Sequence, residues 1–173
     1  MGRPAGILLL MILMLLIRAR PAPALELAAG GGLVEQGDDV VRPAAKIHLG
    51  FTDHVFMEAV VFGRTFGPVT ERSTLLGLAG RAALFGGTGL LGRFGLTVLD
   101  EYTAIERTDP DRAVLAEHSY NAGLLLGVSR SFHPGPLRID LAWDSHLYPA
   151  GVSSLLLVTG RKQVISLTLG ADL

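Results

Sequence analysis

Between Leu137 and Asp144 the chain reads Leu-Arg-Ile-Asp-Leu-Ala-Trp-Asp, an apolar-polar alternation. On a β-strand successive side chains point to opposite faces. Leu137, Ile139, Leu141 and Trp143 therefore share one face, and Arg138, Asp140 and Asp144 the other. The same period of two recurs along the chain between stretches of turn chemistry, and it predicts eight strands. The first covers about Leu25–Glu35 and ends in the polar loop Gln36-Gly37-Asp38-Asp39. The second, about Lys46–Thr52, sets Ile47, Leu49 and Phe51 against Lys46 and His48. A tight turn near Asp53-His54 leads to the third, about Val55–Thr65, whose two faces are both apolar; Glu58 and Arg64 are assigned inward. Gly67-Pro68 opens the loop to the fourth, about Ser73–Phe85, with Thr74, Leu76, Leu78 and Leu84 outward and Arg81 inward.

After Gly86-Gly87-Thr88-Gly89, the fifth strand covers about Leu90–Ile105 and opposes Leu90, Phe94, Leu96, Val98 and Tyr102 to Arg93, Thr97 and Glu101. The loop Thr108-Asp109-Pro110-Asp111 follows. The sixth strand, about Val114–Phe132, sets Glu117, Ser119 and Asn121 against Tyr120, Ala122, Leu124 and Leu126. The turn His133-Pro134-Gly135-Pro136 separates it from the seventh, Leu137–Asp144, and the eighth covers about Val164–Leu173. Connections one, three, five and seven read as longer and polar, two, four and six as short. That alternation fits a barrel with an apolar outside and a polar, charge-paired inside.

The start of the chain gives this pattern a location. Arg3 precedes an apolar run from Ile7 to Ile17, and Ala22-Pro23-Ala24 places small residues before a cleavage point, the layout of a secretory signal peptide over residues 1–24. The run is about half the roughly 20 residues a membrane-spanning helix needs. Cleavage after Ala24 leaves 149 of the 173 residues, with 12 basic and 16 acidic side chains. That balance offers no basic footprint for nucleic acid. The absence of cysteine excludes disulfides. Eight strands of about ten residues fit within one domain of this length. Many of the 22 glycines fall at turns or inward positions, where a narrow barrel needs room for charged neighbours. Aromatic residues make up only 6% of the chain, so the expected aromatic girdles look thin.

In length, leader, strand count and loop alternation the chain resembles the small eight-stranded outer-membrane proteins of the OmpA/OmpX type. The resemblance implies an antiparallel up-and-down transmembrane barrel in a bacterial outer membrane. Its expected partners are the membrane lipids and the barrel-insertion machinery, and it is expected to be a monomer without cofactor or metal. Its role would be non-enzymatic: envelope structure, surface contact through the outer loops, or at most a narrow porin-like conduit. The contact loops would be about Arg64–Arg72, Arg107–Arg112 and Tyr148–Lys162.

Several constellations bear on other chemistry. Gly87, Gly89 and Gly92 satisfy the GxGxxG form of a dinucleotide-binding turn, and Glu117 follows near the distance of a ribose-binding acid. The segment after it holds Gly95, Thr97 and Val98, poor helix formers, which favours a barrel turn instead. His118-Ser119-Tyr120-Asn121-Ala122-Gly123 resembles, with transposed residues, the His-x-Ser-Asn-Ala-Gly stretch of outer-membrane lipid A deacylases. A lipid A or phospholipid acyl hydrolase using His118 or His146 as base is therefore an alternative. On a strand, however, Ser119 points away from His118, and Ser145 away from His146. A secreted lipocalin-like binder would require the strand charges to lie outside. Asp38-Asp39 and Asp109-Pro110-Asp111 lack the ligand count of a calcium site. The inward charges Glu58, Arg64, Arg81, Arg93, Glu101, Glu117, Arg138, Asp140 and Asp144 are expected to form a network that fills the lumen.

Overall fold

The computed structural model describes residues 25–36, 40–85, 88–105, 115–134, 137–149 and 158–172. They form eight strands: β1 (Glu26–Gln36), β2 (Val41–Gly50), β3 (Val55–Phe66), β4 (Val69–Ala83), β5 (Leu90–Ile105), β6 (Leu115–Phe132), β7 (Arg138–Pro149) and β8 (Val158–Asp172). Each pairs antiparallel with the next, and β1 pairs with β8 from Glu26↔Asp172 to Gln36↔Lys162, so the sheet closes on itself. Closure leaves no full-length unpaired edge, which is how such a sheet satisfies its backbone without a second layer. The leader, residues 1–24, lies outside the described residues.

Two expectations are corrected. The third connection is not a long loop. β3 and β4 run on to a two-residue hairpin, Gly67-Pro68, with Gly67 at φ 55°, a left-handed conformation that glycine adopts without strain. Most of Arg64–Arg72 is therefore strand rather than loop. Only the fifth and seventh connections, 106–114 and 150–157, are long. They contain Arg107–Arg112 and most of Tyr148–Lys162, and they lie outside the described residues. The second correction concerns length: β2, β4, β7 and β8 extend further toward the 106–114 end than the alternation indicated.

The glycine-rich stretch does not open a helix. Gly86 and Gly87 lie outside the described residues, Gly89 turns with φ 70°, and Leu90 begins β5 directly. Glu117 sits near the opposite end of the neighbouring strand, so no ribose-binding acid faces the turn. The β2–β3 turn is held by Thr52, whose Oγ1 accepts from the Val55 amide at 3.0 Å, and by Arg81, which donates to the Asp53 carbonyl at 2.8 Å.

The two faces of the wall differ sharply. Leu27, Ile47, Met57, Leu76, Phe94, Leu126, Leu141, Trp143, Ile165, Leu167 and Leu169 are exposed on the outside. Glu26, Lys46, Glu58, Arg81, Arg93, Arg138 and Asp144 are buried inside. Exposed aromatic residues stand at both ends as well as on the wall, where Phe94 and Trp143 lie. Phe51, Phe85 and Phe132 lie exposed at the end that carries the start of β1, and Phe66 and Tyr120 at the other end, here called the mouth.

Candidate functional site

Along each strand the inward residues change character in the same order, and this stacks the lumen in layers. Nearest the end with the barrel termini, Glu26 of β1 pairs with Arg81 of β4 and Arg138 of β7, and Arg138 donates to Asp140 at 2.9 Å. Ser131 completes this group through its own bond to Asp140. Above it sits a buried quartet. Lys46 reaches Glu58 at 2.9 Å and Asp144 at 3.0 Å, and Arg93 pairs with Glu58 and with Asp144, the latter at 2.7 Å. The Arg93 guanidinium also stacks 4.5 Å over the Phe56 ring. Two cations and two anions make the quartet neutral, the condition under which charges can be held away from water.

Glycine makes the room. On one side Glu26, Glu58 and Asp144 each have a glycine as direct cross-strand neighbour, Gly50, Gly77 and Gly127. A Cβ on Gly127 would lie 2.3 Å from Asp144 Oδ1 and 2.7 Å from the Trp143 carbonyl oxygen, the second of which is fixed backbone. Gly127→Ala is expected to destabilise the barrel by about 1–3 kcal/mol, read as a lowered urea midpoint of the folded protein.

Above the quartet, Val34, Val60, Phe62, Leu75, Leu99, Tyr148 and Val164 pack into an apolar layer across the lumen. Below it, the space among Lys46, His48, Arg81, Arg93 and Arg138 is a void of about 20 Å³, room for one or two waters. Above it, the mouth opens into a cavity of about 300 Å³ lined by Arg42, Arg64, Glu71, Ser73, Glu101, Tyr102, Thr103, Glu117 and Ser119. Glu71 holds Arg42 at 3.2 Å and Arg64 at 2.7 Å, and Lys162 pairs with Glu101 at 2.7 Å. This cavity is the candidate site: it opens at the mouth, and charged and hydroxyl side chains from several strands converge on it.

No protein-family profile matches the chain, and no curated protein matches it in sequence. Solved structures match in shape. Neisserial surface protein A (NspA) aligns with a TM-score of 0.52 and 11% identity, over 87% of this chain and 96% of that one. The N-terminal β-barrel domain of Pseudomonas aeruginosa OprF aligns with a TM-score of 0.52 and 16% identity, over 89% and 100%. The fold is that of the small eight-stranded outer-membrane barrels. What these proteins share with this chain is that architecture.

The nine charges expected in one network divide among three levels of the barrel. Glu58, Arg93 and Asp144 meet in the quartet, and Arg81, Arg138 and Asp140 meet below it. Arg64, Glu101 and Glu117 stand at the mouth, beyond the apolar layer. Arg64 and Glu117 are exposed rather than enclosed. Glu26, Arg42, Glu71 and Lys162 join these groups without having been singled out in the sequence.

The two histidines separate completely. His118 is exposed on the outer wall, 3.5 Å from Asp100 and ring to ring with Tyr102 at 4.7 Å, while Ser119 points the other way into the cavity. His146 is buried in the lumen with its Nδ1 3.0 Å from Thr97 Oγ1. Neither meets a serine hydroxyl among the described residues. The nucleophile-base contact of serine chemistry is therefore not assembled at either position.

Proposed function

We propose that this chain is an exported, non-enzymatic barrel of a bacterial outer membrane that serves the envelope structurally or makes contacts at the cell surface. In this reading residues 1–24 are a signal peptide removed on export. The observation that carries it is the inversion of the wall: large apolar residues exposed all round the outside, ion pairs sealed within. In water that wall would be a very large exposed apolar surface, whereas in a bilayer it meets hydrocarbon. The aromatic residues at both ends suit the two membrane-water interfaces. The packed lumen and the unassembled histidines support a structural or contact role over a porin-like or hydrolytic one, and the inward charges argue against a lipocalin-like binder.

The test is fractionation followed by gel migration. The protein is expected in the outer-membrane fraction, to require detergent for solubility, and to migrate faster unheated than boiled, as closed barrels do. A mature chain that stays monomeric and soluble without detergent would overturn the reading.

A further inference from the structure

The mouth cavity carries opposite charge on opposite walls. Arg42 stands on β2 and Glu117 on β6, four strands apart in a closed ring of eight, so they face each other across the opening. Arg42 is 4% exposed, and its Nε is buried with no hydrogen-bond partner among the described residues. At this wall the guanidiniums of Arg42, at 3.2 Å, and Arg64, at 2.7 Å, both turn to the carboxylate of Glu71. On the other side Glu101 is occupied by Lys162, but Glu117 is exposed and meets no cationic side chain among the described residues. Hydroxyls of Ser73, Thr103 and Ser119 line the space between, and the apolar layer closes it below.

We propose that the mouth binds a small zwitterion, an amino acid or short peptide with a free ammonium and a free carboxylate. The carboxylate would lie on Arg42 beside the Arg64–Glu71 pair, and the ammonium on Glu117. A guanidinium binds a carboxylate through directional charge-assisted bonds, and a carboxylate accepts an ammonium in the same way. A volume of about 300 Å³ is at the small end of the range for ligand sites and suits a molecule of that size. The proposal rests on the surface-contact reading only in requiring that the mouth face the outside.

The experiment uses the barrel folded in a nonionic detergent, because zwitterionic detergents carry the ligand's own groups. Backbone amide shifts of Thr103 and Ser119 are followed by NMR during titration with three probes. These are glycylglycine, N-acetyl-glycylglycine, which lacks the ammonium, and glycylglycine amide, which lacks the carboxylate. Glycylglycine is expected to bind at the mouth, and each capped form about tenfold or more weaker. Glu117→Gln is an exposed change that leaves the fold intact. It is expected to weaken glycylglycine about tenfold and leave the N-acetyl form unaltered. An N-acetyl form that binds as tightly as glycylglycine would make this an anion site and overturn the proposal. So would an amide form that binds equally well, or amide shifts that stay unmoved at millimolar probe. Heat-modifiable migration of the same samples reports separately on whether the protein is a membrane barrel.

Discussion

Asp144→Ala is expected to lower the folding stability of the barrel by roughly 3–5 kcal/mol. Asp144 is completely buried and accepts from both Lys46 Nζ at 3.0 Å and Arg93 Nη1 at 2.7 Å. Without it Glu58 faces two cations alone, and one positive charge is left uncompensated in a space of low polarisability. The loss comes from that stranded charge more than from the two missing hydrogen bonds. Replacing Lys46 by methionine in the same chain restores neutrality, with Glu58 and Arg93 still paired. Asp144→Ala combined with Lys46→Met should therefore be markedly more stable than Asp144→Ala alone, with a coupling of about 0.5–3 kcal/mol. Urea unfolding in detergent, followed by gel migration, measures all four corners of the cycle. A single and a double variant of equal stability would show that the quartet is not acting as a neutral unit.

The second large effect tests the outside of the wall. Leu167 points outward midway along β8, between Gly31 of β1 and Leu141 of β7. If this belt lies in hydrocarbon, Leu167→Arg should cost about 2–4 kcal/mol in phospholipid vesicles. Glu35→Arg, outward on β1 near the mouth, should cost no more than about 1 kcal/mol, because an interfacial arginine reaches water. Urea titrations of the two variants in the same vesicles give the comparison. Equal, small effects would contradict the membrane reading, since an outward arginine in water would stay solvated at either position.

The parts of the fold that lie against the apolar belt were legible in the sequence. β5 occupies Leu90–Ile105, the same limits the alternation gave, because its outer face stays apolar over most of its length. The parts above the belt were not. β8 begins at Val158, six residues before the alternation becomes visible, since Arg161 and Gln163 point outward above the belt and Lys162 inward, so both faces are polar there. Pro43 hid the start of β2, because a proline ordinarily disqualifies a central strand. Here the β2–β3 ladder stops at Ala44↔Phe62, so Pro43 faces no β3 partner to disappoint.

The same physics explains the site. Arg93 and Asp144 were legible as inward charges because Phe94 and Trp143 stand beside them at the opposite parity, whereas Glu58 lies where both faces are apolar and its charge alone set its side. Arg42, Glu71 and Lys162 lie in the polar rim, where parity carries little contrast. Glu26 was recoverable, since Leu25 and Leu27 bracket it on the outward face. What no pattern of alternation could reveal is the division into levels. That depends on strand stagger and on which residues of different strands come to the same height.

The apolar layer at Val34, Val60, Phe62, Leu75, Leu99, Tyr148 and Val164 makes the two ends of the lumen separately evolvable. Below it the ion pairs are buried and link strands across the lumen, while above it Arg64 and Glu117 are exposed and can be exchanged. Because distant sites without shared partners contribute independently, the mouth can be given new residues, and with them new binding preferences, at little risk to folding.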